Sequence, residues 1–332
     1  MDTKLKKATI IVPVYNGADY LEQSIQSVFN QTYGSIELIT VNDGSVDNSQ
    51  EVLEKLRDSS PDSVEMKIIS QENAGICAAR NRALDAATGE YVLFMDQDDR
   101  MKKSCVKTLV KLLESRNTDM VIGGYALVDE AGKVLDKWKL DSSLPWCKFR
   151  ISAPWGRIFR RSIINDNNVR FMITKISEDF YFNLVYMSYC KDIFVTPYIG
   201  YAWTYRAASE SHKNMSVMNP DRNPLVMMSQ VLRDMKQPNI LEKDLLDYMF
   251  IKHIIWYLLY TAKGSTAEEF RRSYDACFAW LKDNVTGFTH NTAAVLKGPR
   301  GETAKVRAVV RAALLMRKAG ILYPFLRMYA KI

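Results

Sequence analysis

The sequence predicts an α/β protein, a mostly parallel central sheet flanked by helices and followed by a helical C-terminal extension. Three observations predict it. Short β-rich runs alternate with helical patterns over the first 130 residues, the rhythm of a parallel sheet with crossover helices. The β-rich runs are continuously apolar, as strands covered on both faces are. After residue 215 the pattern turns helical to the end, punctuated by Pro220, Pro224, Pro238, Pro299 and Pro324.

Taken in order, Ala8 to Val14, Ile36 to Val41, Val64 to Ile69, Tyr91 to Met95 and Met120 to Tyr125 read as strands. Helical patterns lie near 18–30, 47–57, 74–87 and 102–116. Ser45 or Asp47 can cap the second helix, and Gly89 follows the third. Residues 133 to 206 read as irregular and aromatic-rich, with Trp138, Trp146, Trp155 and Trp203. In parallel α/β sheets ligands sit beyond the carboxyl ends of the strands. Here those ends carry Asn16, Asp43, Asp96 and Asp98.

Composition excludes several classes. With 47% hydrophobic and 25% charged residues the chain is globular, and 332 residues are ample for a core. Met1 to Lys7 runs into the first strand with no apolar leader segment between. The longest apolar candidate, Ile254 to Tyr260, is too short to span a membrane and suits a buried helix. Five cysteines without paired spacing fit reduced thiols, so a cytoplasmic location is expected. Residues 300–332 carry eight basic side chains against Glu302 alone, so the whole formal charge of +7 belongs to this tail. No nucleic-acid partner is expected.

Strand four ends in Phe94-Met95-Asp96-Gln97-Asp98-Asp99. Three carboxylates in four residues repel one another unless a cation neutralises them. Hard oxygen ligands suit Mg²⁺ or Mn²⁺, which bind through one or two carboxylates plus substrate phosphates. The alternative is an acidic loop capping the helix that starts near Lys102.

Three motifs precede this cluster: Ile10-Ile11-Val12-Pro13-Val14-Tyr15-Asn16, Val41-Asn42-Asp43-Gly44-Ser45-Val46-Asp47-Asn48-Ser49, and Asn73-Ala74-Gly75 through Ala79-Arg80-Asn81. The ordered series closely resembles the inverting family 2 glycosyltransferases of bacterial cell-envelope type, which have a GT-A fold, over about residues 8–212. The resemblance implies a GT-A domain over 1–212 and a helical region over 213–332. It implies that Pro13, Val14 and Tyr15 frame a nucleobase and that Asp43 accepts a hydrogen bond from it. Asn73, Gly75 and Arg80 would face the ribose and diphosphate, with Gln97 on the donor side. Asp96 would contact ribose or metal, and Asp98 would hold the metal.

Ser177-Glu178-Asp179 opens a further helix, where acids are ordinary caps. By resemblance Asp179 is instead the general base on the acceptor hydroxyl, with Glu178 beside it on the acceptor side. In Tyr205 to His212 the resemblance makes Arg206 a partner of the diphosphate and His212 a further metal ligand. Trp155, in Pro154-Trp155-Gly156-Arg157, is a sugar-stacking platform or a core residue. Two departures stand out: Asn42 replaces a second aspartate, and Gly156-Arg157 replaces a commoner Asn-Lys pair.

The implied reaction is one in-line displacement at an anomeric carbon, from a nucleotide-sugar donor, most readily a UDP-sugar, to a glycan, glycolipid or glycoprotein acceptor. A nucleotidyltransferase lacks support because Asn16-Gly17-Ala18-Asp19 is not a basic, glycine-rich phosphate loop. No G-x-G-x-x-G follows a strand, which excludes a dinucleotide dehydrogenase. An inactive sugar-nucleotide-binding scaffold is the alternative of another class. In the tail, Val306, Val309, Val310, Ala313 and Leu314 share one helical face and Arg307, Arg311 and Lys318 another. That pattern fits peripheral contact with a membrane surface, packing on the chain's own domain, or homo-oligomerisation.

Overall fold

The computed structural model describes residues 5–174, 177–206, 223–237, 239–261 and 264–330. The first half follows the predicted alternation: β1 (Ala8–Val14), α1 (Ala18–Phe29), β2 (Ile36–Asp43), α2 (Ser49–Asp58), β3 (Val64–Gln71), α3 (Ile76–Ala86) and β4 (Tyr91–Phe94). Every residue of β1, β2 and β4 is buried, which is why their runs read as continuously apolar. β3 mixes buried and exposed positions, as an edge strand does.

The strands then continue as β5 (Arg100–Met101), β6 (Met120–Val128) and β7 (Val134–Trp138), with α4 (Cys105–Ser115) between the first two. β8 (Arg157–Arg160), α5 (Arg161–Asp166), α6 (Glu178–Tyr189) and β9 (Ile193–Thr204) complete this part. Among the described residues the strands form one sheet in the order β3-β2-β1-β4-β8-β6-β9-β5, with β7 on β6. Parallel pairing dominates along it, through β2 with β3, β1 with β2 and β4, and β6 with β9. Antiparallel β8 is inserted between β4 and β6.

The stretch that reads as irregular is therefore largely strand and helix. β9 is twelve residues long and pairs with β6 through two register shifts. Pro197, Gly200 and a mixed burial pattern hide it from periodicity. Its aromatic residues build the core beside the site: Trp155 stacks on Tyr201 at 4.6 Å and meets Tyr125 edge-on at 5.0 Å.

Beyond the sheet lie α7 (Pro224–Asp234), α8 (Lys243–Thr261), α9 (Ala267–Asn284), α10 (Ala304–Lys318) and α11 (Leu322–Ala330). Ile254, Ile255 and Leu258 are buried, as expected for an apolar stretch inside a protein. The apolar face of α10 is also occupied: Val310, Ala313 and Leu314 are at most 4% exposed, with Val306 and Val309 packed on the core. Basic tail residues serve packing too, since Arg317 lies over Phe278 at 4.6 Å and Arg327 over Phe270 at 5.9 Å. Among the described residues no helix is long and apolar enough to cross a membrane. All five cysteines are buried free thiols.

Candidate active site

The carboxyl ends of β1, β2 and β4 converge, and short loops knit them together. The Gln97 amide accepts from the Tyr15 N–H at 2.9 Å and donates to the Tyr15 carbonyl at 3.0 Å. That fixes the backbone after β1 while leaving Tyr15 47% exposed. A Cβ on Gly17 would stand 2.4 Å from Gln97 Oε1, so glycine there is a condition of this clamp. Asn16, Gly17 and Ala18 donate their N–H groups to Ser45, Ser49 and Asp47. The loop after β2 thus occupies the orphan donors at the start of α1.

Asp43 is the last residue of β2 and is 3% exposed. Its carboxylate accepts from the N–H groups of Ala74 and Gly75 and from the Gln71 amide, each at 2.8 Å. In this state the side chain shapes the 73–75 turn. Gly75 sits at φ 87° in that turn with nothing within 4 Å of a Cβ, so backbone conformation, rather than close packing, requires glycine. Asn73 and Gly75 are exposed beside it, and Pro13 and Val14 are buried in β1.

The acidic cluster divides into three different environments. Asp99 is completely buried and turned away, accepting from the Tyr201 hydroxyl at 2.6 Å and the Thr204 N–H at 2.8 Å. Burial and its neighbours Asp96 and Asp98 push its pKa well up. Asp96 pairs with Arg80 Nη2 at 2.9 Å, and its N–H reaches the Tyr201 hydroxyl. Asp98 contacts Arg206, whose guanidinium also lies 4.1 Å over the Tyr20 ring. Desolvation and Asp96 raise the Asp98 pKa, and Arg206 opposes them. The repulsion read from sequence is thus relieved by two guanidiniums and by turning one acid inward.

Arg80, on α3, is 1% exposed and holds two carboxylates: Nη1 lies 2.6 Å from Asp179 Oδ1 while Nη2 binds Asp96. Burial works against its charge, but Asp179 and Asp96 overcome this and raise its pKa. Phe171 lies 5.1 Å under the guanidinium. Asp179 stands in the first turn of α6, yet its carboxylate faces Arg80, and the N-cap Ser177 makes no side-chain cap bond. Glu178 and Asp179 both lie in the first turn, as the capping alternative has it, and the Asp179 carboxylate in addition faces Arg80. Burial pushes the Asp179 pKa up to about 7 against the pull of Arg80, with Glu178 and Asp96 adding to the rise. The side chain keeps 26% of its surface open, so water reaches it. Glu178 is half-buried alongside.

Two expected residues stand apart. His212 lies outside the described residues. Trp155 is 7% exposed with one ring face on Tyr201, so it is a core residue rather than an open platform. Among the described residues no three His, Cys, Asp or Glu side chains gather as a metal cage. The donor set still fits Mg²⁺ or Mn²⁺, because Asp96 and Asp98 offer two hard carboxylates and phosphates supply the remainder. Sequence reading misses Tyr201, Thr204 and Tyr20, which place the acids and Arg206. A tyrosine that orients a carboxylate looks like any core tyrosine in a single sequence.

The model of the family described as Glycosyl transferase family 2 matches residues 9–169. Residues 9–169 belong to that family. Among curated proteins, the glycosyltransferase GlyA of Streptococcus pneumoniae is 33% identical over 62% of this chain and 31% of its own length. The chain thus spans under a third of GlyA. YibD of Escherichia coli, a glycosyltransferase, is 26% identical over 65% of this chain and 68% of its own. Residues 1–349 of S. aureus TarS, in a crystal structure with UDP-GlcNAc, superpose with a TM-score of 0.73 at 20% identity. That match covers 98% of this chain and 90% of the TarS fragment, C-terminal helices included. The mannosyltransferase PcManGT of Pyrobaculum calidifontis, solved with GDP-Man and Mn²⁺, gives 0.56 at 16% identity, over 99% of this chain and 87% of its own. The fold is the GT-A fold.

Proposed function

We propose that the protein transfers a sugar from a nucleoside-diphosphate donor to an acceptor hydroxyl with inversion, using Asp179 as base. The observation that carries this reading is the Asp179–Arg80–Asp96 array at the carboxyl ends of the sheet. It joins a carboxylate suited to a hydroxyl proton to a cation suited to a diphosphate. In this reading 1–212 is the catalytic domain and 213–332 a helical region attached to it. The donor occupies the cleft framed by the backbone of Pro13, Val14 and Tyr15, with Asp43, Asn73, Gly75 and Gln97 around it. UDP is favoured because TarS is seen with UDP-GlcNAc.

Asp96 and Asp98 would hold Mn²⁺ or Mg²⁺, with His212 as a further ligand, and PcManGT with Mn²⁺ supports this. Such an ion neutralises charge on a leaving diphosphate. Arg80 and Arg206 are the protein's own cations for that charge, and each is held beforehand by a carboxylate. Asp179 accepts the acceptor proton as the hydroxyl oxygen attacks the anomeric carbon. Its pKa, raised to about 7, makes it a stronger base than an ordinary carboxylate. A single displacement on an α-linked donor gives a β-linked product.

The acceptor class is a glycan, glycolipid or glycoprotein of the cell surface. Peripheral membrane contact would use the exposed Leu315, Ile321, Phe325 and Met328 beside the basic side chains of the tail. Screening UDP-, GDP- and dTDP-sugars for Mn²⁺-dependent binding and slow hydrolysis tests the reading. Failure of all three to bind would sink it.

A further inference from the structure

A second cleft lies where α6 meets the C-terminal helices. It measures about 260 Å³ and is lined by Phe149, Arg150, Phe180, Lys252, Trp256 and Glu302, among others. That is slightly below the roughly 300–1,000 Å³ of drug-sized sites, and suits one sugar unit or one small acid. Phe180 directly follows Asp179 on α6.

The strap that forms its rim is pinned toward the proposed base. The Ile151 carbonyl accepts from buried Arg157, and the Ser152 carbonyl accepts from Asn183, one turn after Asp179 on the same helix. The cleft is therefore built on the same helix, α6, that carries the proposed base.

Its charges are unbalanced. Lys252 pairs with Glu302 at 3.0 Å, and Glu302 has a side chain only 7% exposed. Arg150 has no hydrogen bond or ion pair among the described residues. Its Nε is buried without a partner, and the guanidinium rests 4.9 Å from the Trp138 ring. His253 lies against Phe180 at 4.4 Å, and burial holds it neutral at physiological pH. One cation is left over, in a fork geometry that matches a carboxylate or phosphate. A half-buried guanidinium without an anion is costly, and a bound oxyanion would satisfy it. Lys252 has three donors and can serve Glu302 and a ligand together. Trp256, partly exposed on the same wall, offers an apolar face to a sugar or polyol.

We propose that this cleft is an acceptor subsite that binds an oxyanion, a phosphate or carboxylate group of the acceptor, on Arg150 and Lys252. The acceptor class is then an anionic glycan or polyol phosphate. This rests on the reading of Asp179 as the base.

The test titrates the full chain with glycerol 3-phosphate and with glucuronic acid, using glycerol and glucose as uncharged controls, by ligand-observed NMR at low salt. At least one charged probe binds at least tenfold more tightly than its control, and which one does separates phosphate from carboxylate. Arg150→Ala weakens that binding at least tenfold, and Arg150→Lys restores part of it. Should Arg150→Ala not fold, Arg150→Gln, which keeps the stem over Trp138, is measured instead. Charged probes binding no better than controls, or unchanged affinity in the Arg150 variant that folds, overturns the proposal. Mn²⁺-dependent UDP binding is followed on the same wild-type sample. If UDP binds and the acids do not, only this subsite fails; if UDP also does not bind, the functional reading fails with it.

Discussion

Arg80 and Asp179 meet at 2.6 Å across 99 positions of sequence, joining α3 to the first turn of α6. The same guanidinium holds Asp96, so one buried side chain sets both acids at the sheet's carboxyl edge. Truncating it would strand two partly buried carboxylates. Breaking a buried pair costs about 3–5 kcal/mol. Both acids keep a quarter or more of their side-chain surface in water, which favours the lower end of that range. Urea unfolding of Arg80→Ala should show a loss of about 3 kcal/mol. A loss within a few tenths would mean that the triad contributes little to the fold.

Asp179→Asn separates chemistry from binding. A well-placed base contributes about 10²–10⁴-fold in rate, and turnover should fall by that much. Mn²⁺-dependent UDP affinity should stay within about twofold, because the side chain faces the acceptor in this reading. Retained turnover with a lowered melting temperature would instead make Asp179 a structural partner of Arg80.

The pH dependence follows from the same carboxyl group. A base works ionised, so kcat/KM should climb with unit slope on the acid side and level off above about pH 7, the pKa that burial imposes. Stability runs the other way. The folded pKa lies above the ordinary carboxylate value, so the folded state binds more protons between about pH 4 and 7. This contribution is complete below about pH 4 and is lost as pH rises through 7. Asp179→Asn should flatten that part of the stability profile. A rate plateau beginning at pH 5 would show that Asp179 titrates normally when substrates bind.

Asp98 is met by Arg206 in this structure, a contact that a divalent ion would have to displace or share. Asp98→Asn should abolish Mn²⁺-dependent UDP binding, seen as loss of the Mn²⁺ effect in calorimetry while the fold persists. Unchanged Mn²⁺ dependence would falsify the assignment.

The fold's first half was legible because its strands are covered on both faces and leave unbroken apolar runs, as β1, β2 and β4 do. β9 was not, since Pro197 and Gly200 interrupt it and its burial follows no period. At the site, residue types and order pointed to Asp96 and Asp98, and the family resemblance to Asp179, yet pairing could not be read. That Arg80 bridges Asp96 and Asp179, or that Asp99 serves Tyr201 and Thr204, depends on which elements a sheet brings together. Trp155 shows the same limit, because an exposed platform and a core residue share one letter.

The tail yields the last prediction. Its apolar stripe was open to membrane, partner or domain, and the structure lays it on α8 and the core around it. Val310, Ala313 and Leu314 are buried there, and an apolar cavity of about 280 Å³ lies between α8, α10 and α11. A chain ending at Gly298 would expose Ile255 and Leu258, each now at most 3% exposed. Truncation should therefore lower the melting temperature markedly, whatever it does to membrane binding. Leu314→Ala is the milder probe, with an expected cost of about 2–5 kcal/mol for a buried leucine. Membrane contact is tested separately by replacing exposed Ile321 and Met328 with serine in the full chain, which leaves the buried face intact. Co-sedimentation with anionic vesicles at low salt should fall in that double variant if the tail binds lipid. Equal sedimentation of variant and wild type, with the truncated chain unfolded, would leave α10 as a structural helix of the protein and nothing more.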